Sequence, residues 1–172
     1  MQLYAIIDAA GTGALIIMEQ DTLYLSVSEI PDASEILFKG EIPGIFVEEA
    51  IRSHSFSMVT RHFHESLELY FLIEGERFYF VEQDTYHLQE HMAILVDQNQ
   101  IHKTCPAGTG KKHHRFLMQL EGPVLDQLLH LCGSVSLEEF GNAYRGITRF
   151  SVDQWAQILS LLTQIKEQFT LI

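Results

Sequence analysis

The chain contains, at residues 61–75, the stretch RHFHESLELYFLIEG. Two histidines stand two positions apart in it, and a glutamate follows four positions after the second. Alternate residues of a β-strand share a face, so His62, His64 and Glu68 are expected on one side of a strand that carries on without a bulge. If that side faces the inside of a barrel, the three side chains converge there. His102, which follows a further strand and turn, is the fourth candidate for the same polar site.

The residues around this stretch are typical of a β-rich domain. Segments 67–73 and 77–81 are dense in aromatic and β-branched residues, and Gly75-Glu76 between them predicts a hairpin. Short strands separated by regular turn signals indicate a β-sandwich or barrel. Further strands are predicted at 23–27, 45–47, 85–88, 93–96 and 115–120.

After Gly122 the hydrophobic period changes to that of helices. Pro123 is placed to begin a helix over 124–131, and Ser151 with Gln154 has the form of a capping box for a second helix. The second helix carries large apolar residues at intervals of three and four, which predicts either a face packed on its own barrel or a dimer seam. These residues are Trp155, Ile158, Leu162, Ile165 and Phe169. The pattern stops at Ile172 without a capping signal, so we expect the chain to be part of a longer protein.

Composition limits the classes of function. A chain of 172 residues with 47% hydrophobic and 20% charged residues predicts one globular domain or one with a small appendage. A net charge of −12 argues against nucleic-acid binding by this chain itself. The lack of a long apolar run and of a basic N-terminal stretch predicts a cytoplasmic protein with no membrane partner. Cys105 and Cys132 are expected to be free thiols, and His113 and His114, beside Lys111 and Lys112, to lie in a solvated loop.

A family resemblance adds to these expectations. His62, His64, Glu68 and Gly75 form the pattern H-x-H-x3-E-x6-G, which resembles the first motif of the cupin superfamily. His102 stands where the second motif places its histidine. The glycine that the family has in the intervening turn falls at His91, so this histidine would have to accept the positive φ that glycine adopts easily.

Residues 20–172 are similar to the N-terminal sensor domain of AraC-type transcription regulators. The resemblance implies a mainly β fold, a cupin-type β-barrel (double-stranded β-helix) followed by C-terminal α-helices. The barrel, with the effector site, would span 1–121, and a helical dimerisation and linker region would span 122–172. The helix-turn-helix domain that reads DNA in that family is not part of this sequence.

We therefore expect an effector-sensing and dimerisation domain without catalytic residues. A small molecule would bind in the barrel beside His62, His64, Glu68 and His102, and the chain would form a homodimer that meets DNA only through a C-terminal domain. The alternative is a small metal-dependent cupin oxygenase or isomerase in which the same four side chains bind nickel, zinc, iron or manganese. A third possibility is a hydrogen-bonded polar cluster that binds neither metal nor ligand.

Overall fold

The computed structural model describes residues 2–7, 13–19, 22–26, 34–53, 56–58, 60–110, 112–131, 133 and 136–171. The chain divides into two compact units, Met1–Asp32 and Ala33–Ile172. The first unit contains an antiparallel meander of β1 (Gln2–Ile7), β2 (Gly13–Glu19) and β3 (Thr22–Ser26). The second unit contains the predicted site and the helices.

The second unit begins with strands and ends with a long helix. Its elements in chain order are β4 (Glu35–Ile42), β5 (Ile45–Ser53), β6 (Leu67–Glu74), β7 (Arg77–Val81), β8 (Asp84–Leu88), β9 (Met92–Val96), β10 (His102–Pro106), β11 (Lys112–Leu120), α1 (Gly122–Leu131), α2 (Leu137–Tyr144), β12 (Gly146–Arg149) and α3 (Val152–Thr170). Gly75 has a φ of +94° in the turn between β6 and β7, but the predicted hairpin is wrong, because β6 pairs with β9 and β11 whereas β7 pairs with β8 and β10 of the other sheet. No helix in the described part of the chain is both long enough and apolar enough to cross a membrane.

Two antiparallel sheets form a barrel. The larger has the order β12-β9-β6-β11-β5-β4 and the smaller the order β10-β7-β8. The inner face of β6 presents Tyr70 and Leu72, which pack with Tyr79 and Val81 of the smaller sheet. The alternate residues of β6, including Phe71, face outward beneath the helices. The predicted mainly β fold with C-terminal helices is confirmed.

Helix α3 covers the outer face of the larger sheet. Its N-terminus carries the predicted capping box, in which the Ser151 hydroxyl accepts from the Gln154 amide and the Gln154 side chain accepts from the Ser151 amide. Trp155 and Leu162 are buried against residues of β5, β6 and β11, among them Phe71. Ile158, Ile165 and Phe169 are partly buried against the same cluster.

Polar contacts fasten the same helix to the sheet. Lys166 Nζ donates to Glu49 of β5 at 2.5 Å, and the same carboxylate bonds His114 of β11 at 2.8 Å. The apolar face predicted as a possible dimer seam is therefore occupied within the chain. A homodimer stays a prediction: Trp155 and Leu162 of this face are buried within the chain, whereas Ile158, Ile165 and Phe169 are only partly buried.

Four elements of the second unit were not predicted from the sequence, namely β4, β10, α2 and β12. Strand β12 pairs with β9 in the larger sheet, so the predicted helical region 122–172 contributes a strand to the barrel. The predicted boundary after residue 121 therefore does not separate two compact units.

Two turn and loop predictions had different outcomes. His91 has a φ of +64°, which confirms that it takes the backbone conformation of the family's turn glycine. The solvated loop predicted around His113 is wrong, because His113 and His114 belong to β11 and His113 is buried. Cys105 is a free thiol, as expected. Lys111, Cys132 and Ile172 lie outside the described residues.

Candidate functional site

Three histidines meet at one end of the barrel. His62 and His102 exchange two backbone hydrogen bonds, of 3.0 and 2.9 Å, which join the segment before β6 to the start of β10. His64 follows two residues later, and one ring nitrogen from each histidine lies within 4.8 Å of the others. The histidines converge as predicted, but not through one continuous strand, because residues 61–66 form only this isolated bridge before β6 begins at Leu67.

Backbone carbonyl groups orient two of the rings. His102 Nδ1 lies 2.9 Å from the carbonyl oxygen of Gln100, and His64 Nδ1 lies 2.8 Å from that of Ser66. A carbonyl oxygen only accepts, so each Nδ1 carries the proton and each Nε2 is turned toward the cluster. His102 is 1% exposed, and its Nε2 has no hydrogen-bond partner among the described residues.

Glu68 lies beside the histidines as an ionised carboxylate. The Tyr79 hydroxyl donates to Oε1, while Gln119 Nε2 and His64 Nε2 each lie 3.1 Å from Oε2. Burial raises the pKa of Glu68, but the hydrogen bond with His64, the nearby His102 and the donors Tyr79 and Gln119 outweigh it and hold the pKa at about 2. Glu68 is therefore paired rather than left as an isolated buried anion, which would be costly.

The surroundings of the histidines shift their pKa values in opposite directions. The hydrogen bond with Glu68 is the largest cause of the raised pKa of His64 and favours its charged form. Burial, followed by the nearby His102, lowers the pKa of His62 and favours its neutral form. One end of the barrel thus combines a carboxylate with histidines of unequal basicity.

The donor set fits a divalent transition metal. Three imidazole nitrogens that approach one point are typical of zinc, iron, nickel and manganese sites. The carbonyl bonds to Nδ1 of His64 and His102 are those that commonly fix metal-ligating histidines. Glu68 is not part of this three-nitrogen group, and its Oε2 lies 3.7 Å from His102 Nε2. All four predicted residues are together, but the closest ligand set is three histidines.

A cleft of about 480 Å³ opens beside this cluster. Its wall includes Ser66 and Gln119, which both contact His64, and the turn between β4 and β5 at Pro43 and Gly44. The cleft adjoins the cluster through Ser66 and Gln119, and its described lining contains none of the three histidines.

Sequence reasoning missed the residues that position Glu68. Gln119 faces Glu68 across the pairing of β11 with β6, and Tyr79 reaches it from the opposite sheet. The sequence pattern places Tyr79 only within the strand at 77–81 and gives Gln119 no role in the site. A polar residue within the otherwise apolar end of β11 was the one available signal for Gln119.

Comparisons with known proteins agree with this architecture. The profile of the AraC-like ligand binding domain matches residues 43–168. No curated protein sequence is significantly similar to the chain.

Solved cupin structures are distantly similar. An RmlC-like cupin family protein with a double-stranded beta-helix fold from Methanocaldococcus jannaschii is 12% identical over 63% of this chain and 90% of its own, with a TM-score of 0.46. A cupin superfamily protein from Desulfitobacterium hafniense is 15% identical over 52% and 76%, with a TM-score of 0.44. A putative mannose-6-phosphate isomerase from Ralstonia eutropha is 13% identical over 56% and 94%, with a TM-score of 0.46. Likenesses this weak say nothing about function.

Proposed function

Because the chain belongs to the family of AraC-like ligand binding domains, we propose that it is the effector-sensing domain of a transcription regulator. A small molecule would bind in the barrel beside His62, His64, Glu68 and His102. Binding would be relayed to a DNA-binding domain joined to the C-terminal side, in a cytoplasmic and homodimeric protein. The chain itself would catalyse no reaction.

The observation that carries this proposal is the state of His102. Its Nε2 is buried and lacks a hydrogen-bond partner among the described residues, although it faces a cluster of polar groups. Leaving such an atom unpaired costs about 1–3 kcal/mol. A ligand that donates a hydrogen bond to Nε2 would recover that free energy. A purely structural cluster would have no need of a buried nitrogen without a partner.

The sheet offers a route from the site to the helices. Strand β6 carries Glu68 on its inner face and Phe71 on its outer face, where Phe71 packs in the same cluster as Trp155 of α3. A ligand favours one arrangement of α3 over another only through its different affinity for the two arrangements.

Ligand titration tests the sensing role. Sugars, amino acids and aromatic acids are titrated into the chain, and a compound that binds in the barrel at a hundredfold excess over its Kd should raise the Tm by about 5–10 °C. The shift should survive His87→Ala, a surface histidine bonded to Glu76, and be lost in His102→Ala. Failure of every class to raise the Tm, or an undiminished shift in His102→Ala, would contradict the proposal.

The three-histidine group supports the second candidate, a metal-dependent cupin enzyme. His62, His64 and His102 would hold the ion, which would polarise a substrate oxygen or acidify a bound water. Glu68 lies beside them, with Oε2 at 3.1 Å from His64 Nε2, and would orient that ring.

Elemental analysis of the purified, folded chain separates the two candidates. For a sensor we expect no stoichiometric transition metal and no change of elemental composition in His62→Ala. A stoichiometric metal that is lost in both His62→Ala and His102→Ala, but kept in His87→Ala, would instead favour the enzyme.

A further inference from the structure

The inner face of the barrel contains a second polar cluster, away from the histidines. Arg77 of β7 alternates with the core residues Tyr79 and Val81, and Arg115 of β11 lies two residues before Leu117, which packs on the same core. Arg77 is 1% exposed and Arg115 is 8% exposed. Two guanidinium groups are thus buried inside a chain whose net charge is −12.

The contacts of these arginines leave donors unused. Arg77 donates from Nε to Thr104 Oγ1 at 3.1 Å and from Nη1 to the Phe56 carbonyl at 2.8 Å, so its described partners are neutral oxygens. Arg115 donates from Nη2 to Glu48. Arg77 Nη2 and Arg115 Nη1 are buried and have no hydrogen-bond partner among the described residues.

Tyr70, on the same inner face, carries a third unused group. Its hydroxyl is buried and has no partner among the described residues. Burial raises the pKa of Tyr70, and the charges of Arg115 and Arg77 act on it in the opposite direction. The Arg115 guanidinium is 5.9 Å from the centre of the Tyr70 ring.

The charges of this cluster do not balance. Glu48 is the one carboxylate that the described residues bring to Arg115, and Glu48 Oε1 is shared with Arg52 at 3.1 Å. Glu68 is engaged by His64, Tyr79 and Gln119. A guanidinium does not lose its proton in a protein, and a buried charge without a counter-ion is costly. An anion that accepts from the unused donors would compensate the excess positive charge.

We propose that Arg77, Arg115 and Tyr70 bind the carboxylate of the effector, which is therefore a small organic acid. The inference rests on the proposed sensing function and names the chemical class of its ligand. A carboxylate has two oxygens with several acceptor positions, which suits the two free guanidinium nitrogens and one hydroxyl. The ring of Tyr79 connects this cluster to the histidines, because it packs on Tyr70 at 5.2 Å and on His102 at 6.1 Å.

Acetate and acetamide, which have nearly the same shape, test the need for negative charge. Each is titrated into the chain at matched ionic strength, and the Nε–Hε resonances of the arginines are followed by NMR together with the Tm. Acetate should shift the Arg77 and Arg115 resonances and raise the Tm, and acetamide should do neither. Equal effects of the two compounds, or effects that sodium chloride reproduces, would overturn the proposal.

Variants locate the binding. Tyr70→Phe removes a hydroxyl without a described partner, so the fold should be kept while acetate affinity falls about five- to tenfold. Arg77→Met should reduce it about ten- to a hundredfold. Arg145→Met, which removes a half-exposed surface arginine paired with Asp97, is the matched control and should leave affinity unchanged. Equal losses in Arg77→Met and Arg145→Met, or unchanged affinity in Tyr70→Phe, would refute the site.

The two proposals can fail separately. If a neutral sugar binds and depends on His102 while acetate leaves the arginine resonances unmoved, the carboxylate site is wrong and the sensing function stands. If no compound of any class binds, the sensing function fails and the carboxylate site fails with it.

Discussion

Trp155→Ala will lower the free energy of unfolding by about 3–5 kcal/mol, the usual cost of deleting a buried large aromatic side chain. Trp155 is 4% exposed, and its ring packs on Phe150 at 5.9 Å and on His91 at 5.5 Å. It also belongs to the apolar cluster between α3 and the larger sheet. The loss would be measured by urea unfolding of the variant and the parent chain.

Leu161→Ala is the control for this prediction. Leu161 lies on the same helix but is 54% exposed, so its truncation should change stability by no more than about 0.5 kcal/mol. Similar costs for the two variants would mean that α3 does not pack on the sheet through Trp155. Light scattering on Trp155→Ala adds a second readout, because a lost dimer with unchanged stability would restore the dimer seam.

Glu48→Ala will cost a similar amount, about 3–5 kcal/mol, because it removes the acceptor from a buried ion pair and leaves the arginine charged. The Glu48 and Arg115 side chains are both about nine-tenths buried, and the same carboxylate oxygen also accepts from Arg52. The measurement is again the free energy of unfolding in urea.

The exposed pair of Glu74 and Lys112 is the matched comparison. Lys112 Nζ lies 3.3 Å from Glu74 Oε2, and both side chains are about half exposed. Glu74→Ala should therefore cost less than about 1 kcal/mol, since solvent screens the attraction. If Glu48→Ala cost no more than Glu74→Ala, the interior would have to be far better hydrated than its burial indicates.

The fold was predictable where local pattern and tertiary environment agree. Strands β6, β7 and β9 are apolar and β-branched or aromatic, so their prediction needed no knowledge of neighbours. The hairpin predicted at Gly75 was wrong because β6 and β7 pair in different sheets, which the local turn signal does not reveal. Strand β12 has four residues and directly follows a helix, and only its pairing with β9 makes it a strand. A sequence window contains no information about that pairing.

The direction of polar side chains was also not predictable from the local sequence. His113 lies among charged residues, which favoured a solvated loop, yet its position in β11 turns it into the barrel. Arg77 and Arg115 received no role because each stands beside aromatic residues on a strand. Arg77 lies two residues from Tyr79, and Arg115 two residues from Leu117, so each arginine shares the inner face of its strand with a core residue. The sequence alone does not say that these two faces line the same interior.

The candidate site was predictable in its composition and not in its construction. The motif spacing placed His62, His64, Glu68 and His102 together, and they are together. The contact of Gln119 with Glu68 depends on the register between β11 and β6, which the sequence does not give. The apolar spacing in α3 likewise identified a buried face, but spacing is the same whether the partner is a sheet of the same chain or another copy.

Consecutive residues of β5 couple the two sides of the barrel wall. Glu48 holds Arg115 in the interior, and Glu49 holds Lys166 of the covering helix outside. A single peptide unit, about 3.4 Å of strand, separates the two anchors. A displacement of the backbone at Glu48 would also move Glu49, so in the proposed sensor a ligand held by Arg115 would act on α3 through one peptide unit of β5. In that sensor, a conformational change transmitted through β5 would need no series of intermediate residues and no unfolding of a loop.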